Sequence, residues 1–115
     1  MSKHKILFIC NQGENRSRTA AELFKDSYET NFAGCYSLDK KKLLTEKLLD
    51  WSEIIMVMED KHVEHLYENY PKYYLEKRII NLDIPDDYLY NDPELKKIIK
   101  KKVNHSMKEL EEVLE

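Results

Sequence analysis

The sequence predicts an α/β protein, a three-layer sandwich with helices on both faces of a four-stranded parallel sheet. Three observations carry that reading. Two stretches of strand length, Lys5 to Cys10 and Glu53 to Met58, are continuously apolar after their first residue, the pattern of parallel strands covered on both faces. The segments after them place apolar residues at helical spacing. Strand and helix patterns then alternate to the end of the chain, which in one sheet implies right-handed crossovers and a strand order of 2-1-3-4. A chain of 115 residues with 42% hydrophobic content is expected to form a single domain over 1-115, with a core large enough to need no metal or disulfide staple.

Lys5 to Cys10 is the first strand. Arg18 to Tyr28 follows as a helix with Ala20, Ala21, Phe24 and Tyr28 on its buried side. Thr30 to Tyr36 is the second strand, with Cys35 in it or just beyond as a buried or half-buried structural thiol. A helix from Lys40 to Trp51 would bury Leu43, Leu44, the Lys47 stem, Leu48 and Trp51, while the run Lys40 to Lys42 reads as a solvated face. Glu53 to Met58 is the third strand and the central partner of the first. Asp60 opens a helix to about Tyr70, stopped by Pro71. His62 and His65 stand three apart on it, but no third ligand is in view, so no metal site is expected. Arg78 to Asp83 is the fourth strand. The turn-rich stretch IPDDYLYNDPEL then leads to a long helix from about Pro93 to Leu114. Proline suits its first turn, and Leu95, Ile98, Ile99, Val103, Met107, Leu110 and Val113 or Leu114 form its apolar stripe.

Composition narrows the function classes. Met1 to Lys5 leads into only five apolar residues, short of a signal peptide or membrane span, so no membrane partner is expected. Two cysteines without a secretory signal fit a reducing, cytoplasmic compartment. A net charge of −3 argues against general nucleic-acid binding and leaves nucleic acid only as a substrate. Nothing in the pattern specifies an oligomeric state.

The chemistry concentrates in Ile6 to Ser17, ILFICNQGENRS. A free thiol is mostly protonated at neutral pH, so a nucleophilic cysteine needs a positive environment to hold its thiolate. A loop running from a strand end into a helix start supplies one, because several backbone N–H groups and the helix dipole converge on one concavity. The five residues between Cys10 and Arg16 are enough to wrap once around a tetrahedral oxyanion. Asn11, Gln12, Gly13, Glu14 and Asn15 would then line a phosphate with Arg16 and Ser17. The fixed fork of Arg16 suits two equatorial oxygens, and Ser17 is placed to donate to the thiolate. A cysteine at a strand end is more often a small hydrophobe, and Cys-x5-Arg recurs by chance. The strand before, Gly13 within and the Ala-rich helix after it favour the catalytic reading.

Cleavage of a phosphate ester by a thiolate also needs a protonated acid near the leaving oxygen, which as carboxylate can later activate water. The late loop offers Asp83, Asp86 and Asp87, with Asp92 also readable as a helix N-cap.

CNQGENRSRTAAELF resembles the phosphate loop of the low-molecular-weight protein tyrosine phosphatases, and Ala33-Gly34 and TEKLLDWSEIIMVMEDKHVEHL continue the likeness. Within that superfamily the chain looks similar to the short predicted phosphatases with an Asp-Ile-Pro-Asp motif. The resemblance implies a low-molecular-weight phosphatase-like sandwich and a cofactor-free, metal-independent phosphomonoester hydrolase working through a phosphocysteine. Its default substrate would be a phosphotyrosyl protein. Setting DDYLYND beside the family's acidic segment matches Asp86 to the general acid, with Asp83 and Asp87 as alternates, and Tyr88 to its first tyrosine; Tyr88 and Tyr90 would line the cleft or simply pack. Several residues depart from the family. Gln12 and Gly13 stand where it has Gly and Asn, leaving Asn11 or Asn15 to brace the left-handed turn. Asn15 stands where a second loop cysteine is common, which removes that redox switch. Arg18 replaces a proline and adds charge at the cleft edge. The loop that usually walls one side of the cleft is missing between Ser37 and Leu44, which leaves room for phosphoarginine, a nucleotide or an RNA terminal phosphate. A non-catalytic phosphate-binding module is a further reading. Arsenate reduction needs two more redox cysteines, and only Cys35 is present.

Overall fold

The computed structural model describes residues 3–114. Four strands, β1 (Lys5–Cys10), β2 (Glu29–Gly34), β3 (Ile54–Val57) and β4 (Arg78–Asn81), form one parallel sheet in the order β2-β1-β3-β4. Every residue of β3, and every residue of β1 from Ile6 on, is buried, as their unbroken apolar sequence requires. On one face Ile6, Phe8, Ile54 and Met56 pack against α1 (Arg16–Phe24) and α5 (Pro93–Leu114) through Ala20, Ala21, Phe24, Leu95, Ile99, Val103 and Met107. On the other, Leu7, Ile9, Ile55 and Val57 meet Leu49, Leu66 and Tyr73 from α2 (Glu46–Trp51), α3 (Asp60–Asn69) and α4 (Pro71–Glu76). These are the three layers of the expected sandwich. Phe8, fully buried at the centre of the sheet, would cost roughly 3–5 kcal/mol on truncation to alanine.

Several boundaries differ from the sequence expectation, each for a local reason. The first helix begins at Arg16 rather than Arg18, because the Thr19 N–H already closes on the Asn15 carbonyl at 3.0 Å; it ends at Phe24, with Tyr28 reached through a turn. The helix expected from Lys40 starts only at Glu46, where the Thr45 side chain accepts from the Leu48 N–H. The preceding segment instead pairs with Gly34: the Gly34 N–H donates to the Lys42 carbonyl and the Leu44 N–H to that of Gly34. Leu44 is thus buried, while Leu43 and Lys47 are exposed. Pro71 ends α3 as expected but also opens α4, the position where its missing N–H is harmless. β4 is two residues shorter than read, and Asp83 takes φ +54°. Asp92 caps α5, its side chain accepting from the Glu94 N–H at 2.8 Å. The side chains of Val113 and Leu114, expected to close the α5 stripe, lie outside the described residues. No helix among the described residues is long and apolar enough to cross a membrane.

Candidate active site

The carboxyl ends of parallel strands beside a crossover reversal are where such sheets leave a crevice. β1 ends there in Cys10, the loop Asn11 to Asn15 follows, and α1 opens with Arg16. Gly13 reverses the loop at φ +71°, in the left-handed region that glycine enters without penalty. This turn needs no asparagine brace, and neither Asn11 nor Asn15 supplies one. The reversal aims the Gly13 N–H at Cys10 Sγ, 3.2 Å away, while Ser17 Oγ lies 3.0 Å from the same sulfur. Both contacts are buried, and hydrogen bonds of this kind favour a thiolate over a thiol. Gly34 makes room for the loop, since a Cβ there would stand 2.3 Å from the Gln12 carbonyl carbon and 2.6 Å from the Gly13 nitrogen.

Arg16 is 1% exposed. Its Nη1 donates to Glu59 Oε2 at 2.6 Å and to the Ile84 carbonyl at 2.7 Å. Burial alone would raise the Glu59 pKa, but the hydrogen bond and charge of Arg16, with Lys61 and His62, hold it below the usual carboxylate range. Nε and Nη2 of Arg16 are buried with no hydrogen-bond partner among the described residues. Each unsatisfied buried donor costs on the order of 1–3 kcal/mol, more when charged. Arg16 lines a cavity of about 70 Å³ with Cys10, Asn11, Gln12, Glu14, Asn15 and Asp86. A small anion in that cavity would satisfy both nitrogens.

Of the three candidate acids, Asp86 is the one in the cavity wall. Its Oδ1 lies 3.7 Å from Arg16 Nε, and its Oδ2 accepts from Asn11 Nδ2 at 3.3 Å. Asp83 is turned into the β4 exit, its N–H bonded to Asn81 Oδ1 and its carbonyl to Lys102 Nζ, and Asp87 is exposed. The segment carrying Asp86 is clasped to the start of α1: the Tyr90 N–H donates to Asn15 Oδ1 at 3.1 Å, the Asn91 N–H to Thr19 Oγ1 at 3.0 Å, and the Tyr90 hydroxyl to Glu22.

The solved structures place the fold that carries this loop. No protein-family model matches the sequence, and no curated protein matches it either. In three dimensions the tyrosine phosphatase Wzb from Escherichia coli K30, solved with phosphate, superposes with a TM-score of 0.75 at 20% identity over 94% of this chain and 99% of that one. The low-molecular-weight protein tyrosine phosphatase from T. tengcongensis gives 0.72 at 20% identity over 95% and 99%. The YwlE arginine phosphatase from Geobacillus stearothermophilus gives 0.65 at 18% identity over 94% and 96%. The fold is that of the low-molecular-weight protein tyrosine phosphatases.

On this fold the remaining predicted residues are placed unevenly. Ser17 sits against the sulfur, and Glu14 at the rim pairs with Lys42 Nζ at 3.3 Å. Arg18 is not in the cavity wall; its guanidinium stacks on the Tyr90 ring at 4.2 Å, with Nε 3.8 Å from Glu22. Tyr88 packs against the core beneath α5 and likewise does not line the cavity. His62 and His65 do not converge: His62 meets Asn11, and His65 bonds Asn69 and lies edge-on to Tyr36. The Cys35 N–H bonds the Cys10 carbonyl, and its thiol is buried and pushed up to about 12, first by burial and then by the Cys10 charge. Glu59, which sequence reasoning passed over, is the residue that orients Arg16. Its signal was present, since Met58-Glu59 ends an apolar strand at the same sheet edge as Cys10, but a lone acid there discloses no partner.

Proposed function

We propose that this chain is a cysteine-dependent phosphomonoester hydrolase that uses no metal or cofactor, with phosphotyrosyl protein or a small aryl phosphate as substrate. The observation that carries the reading is Arg16: a buried guanidinium with two unpaired nitrogens on a small cavity that also holds Cys10 and Asp86. The phosphoryl oxygens of a substrate accept from Nε and Nη2 and from loop amides, which stabilises charge as it spreads over them. The Cys10 thiolate forms the S–P bond as the P–O bond breaks, and the leaving oxygen takes the proton of Asp86. Water then attacks phosphorus, gives its proton to the Asp86 carboxylate, and the thiolate departs with the S–P electrons. Glu59 and the Ile84 carbonyl hold Nη1, so the free side of the fork is already aimed before substrate arrives.

The support from likeness is that solved structures sharing this fold include proteins named as tyrosine and arginine phosphatases. The test is hydrolysis of para-nitrophenyl phosphate in the presence of a chelator, wild type beside Cys10→Ser. Turnover that vanadate inhibits and that falls at least about 10⁴-fold in the variant is the expected result. Vanadate binding without any turnover would replace the hydrolase by a phosphate-binding module, and absence of both would overturn the loop reading.

A further inference from the structure

The first turn of α3 reaches the acid as well as Arg16. His62 is wholly buried, and both ring nitrogens are engaged: the Glu59 backbone N–H donates to Nδ1 at 3.0 Å, and Nε2 lies 2.7 Å from Asn11 Oδ1. A backbone N–H can only donate, so Nδ1 is the bare nitrogen. Burial, seconded by the charge of Arg16, pushes the ring pKa down to about 4 and keeps it neutral, with its single proton on Nε2. That proton goes to Asn11 Oδ1, which turns the Asn11 NH₂ toward Asp86 Oδ2. The polarity of the whole series is set at its far end by a main-chain group that cannot reverse.

We propose that His62, acting through Asn11, is a positioning residue for Asp86, holding Oδ2 so that Oδ1 is the oxygen that delivers the proton. This rests on the phosphatase reading above. A neutral carboxyl has one accepting and one donating oxygen, and the Asn11 NH₂ occupies the accepting one. Asp86 is half exposed on a loop, and without that contact its carboxyl is free to turn. Oδ1 stands on the Arg16 side of the cavity, 3.7 Å from Nε. When a phosphoryl group takes up Nε, Oδ1 is left facing the ester oxygen.

A general acid matters most when the leaving group is poor, which separates positioning from mere structure. We would measure kcat/KM for phenyl phosphate and for 2,4-dinitrophenyl phosphate in wild type, His62→Leu and His62→Gln, each also in an Asp86→Asn background. His62→Leu should lower kcat/KM for phenyl phosphate roughly 10- to 100-fold and leave the dinitrophenyl ester within about twofold. It should have no further effect once Asp86 is Asn. His62→Gln should restore most of the loss, because a glutamine at the third helical position can accept from the Glu59 N–H and donate to Asn11 in the same sense. Vanadate affinity should not change. Equal losses on both esters, or losses that persist in Asp86→Asn, would overturn the proposal while leaving the phosphatase reading intact. Absence of Cys10-dependent turnover in wild type would overturn both. If His62→Leu does not fold, His62→Asn, whose side chain is too short to span from the Glu59 N–H to Asn11, must show the same selective loss.

Discussion

The two halves of the candidate site are held in opposite ways. The sulfur of Cys10 is gripped within eight residues of chain, by the Gly13 N–H and the Ser17 hydroxyl, and both contacts are buried. Asp86 lies 75 positions from Asn11, is half exposed, and its segment hangs on side chains borrowed from α1 and the phosphate loop. The difference suits the role proposed for each half. An anion-holding loop works only if its donors are fixed before the anion arrives, because reorganising them at the moment of reaction would cost the stabilisation they supply. A proton donor has to approach leaving groups of different shape, and a segment tied by a few exposed hydrogen bonds can adjust.

From that contrast, damage to the loop half should be severe on every substrate, and damage to the acid half selective. The largest effect is expected for Arg16→Lys, which keeps the charge but not the fork and leaves Glu59 without its bidentate-capable partner. Its kcat should fall roughly 10³-fold for good and poor leaving groups alike. Asp86→Asn should lower kcat/KM for phenyl phosphate roughly 10²- to 10³-fold and spare the dinitrophenyl ester. Asp83→Asn and Asp87→Asn should stay within about twofold, and a large loss in either would move the acid away from Asp86.

Gly34→Ala probes how rigid the loop half is. The new methyl would meet backbone atoms of Gln12 and Gly13 at 2.3–2.7 Å, and backbone cannot swing aside as a side chain can. Overpacking of this kind costs about 1–3 kcal/mol or more. Thermal unfolding should show that loss, and vanadate binding should weaken with it. Unchanged binding would mean that the loop is more pliable than the comparison allows.

The same contrast governs what could be read from the sequence. Strand, loop and helix are contiguous, so the apolar run before Cys10, Gly13 and the Arg16-Ser17 pair disclosed the loop half of the candidate site without any tertiary information. The sheet order was legible for a similar reason, since parallel connections have one preferred hand. Glu59 and His62 were not, because each meets a partner, 43 and 51 positions away respectively, that only the packed sheet brings near. Arg18 and Tyr88 were expected in the cleft from their alignment with family positions. Their real surroundings, Tyr90 and Glu22 for one and the α5 core for the other, depend on how the late segment folds back on α1. The overextended helix from Lys40 failed where two adjacent leucines offered no helical period and Gly34 offered a backbone partner instead.

Acid should expose the junction between the two halves. His62 titrates near 4 when folded and near 6.5 when unfolded, so between those values the unfolded chain binds a proton that the native one refuses. Stability is therefore full above about pH 6.5 and is lost as pH falls toward 4, by at most about 3 kcal/mol from this group. Glu59, whose pKa is lowered on folding, adds its own loss only below the ordinary carboxylate range. Denaturant unfolding at pH 7 and 5 should show the decline in wild type and a flatter profile in His62→Gln.

The smallest effect is expected from the clasp that ties the acid segment to α1. Asn15→Ala removes the acceptor of the Tyr90 N–H, and Thr19→Val removes that of the Asn91 N–H with little change of shape. Each lost hydrogen bond is worth about 1 kcal/mol, which corresponds to roughly a fivefold drop in the population of the docked segment if the change falls on docking alone. The consequence should be a loss of up to about fivefold in kcat/KM for phenyl phosphate, with the dinitrophenyl ester and vanadate affinity unaffected, and faster proteolytic cleavage between Asp86 and Asn91. Thr19 also donates to the Asn15 carbonyl at 2.6 Å inside the first turn of α1, so Thr19→Val carries a small cost to the phosphate loop that Asn15→Ala does not. If Asn15→Ala instead impaired both esters equally, the acid segment would be bracing the phosphate loop rather than leaning on it, and the direction of support between the two halves would be reversed.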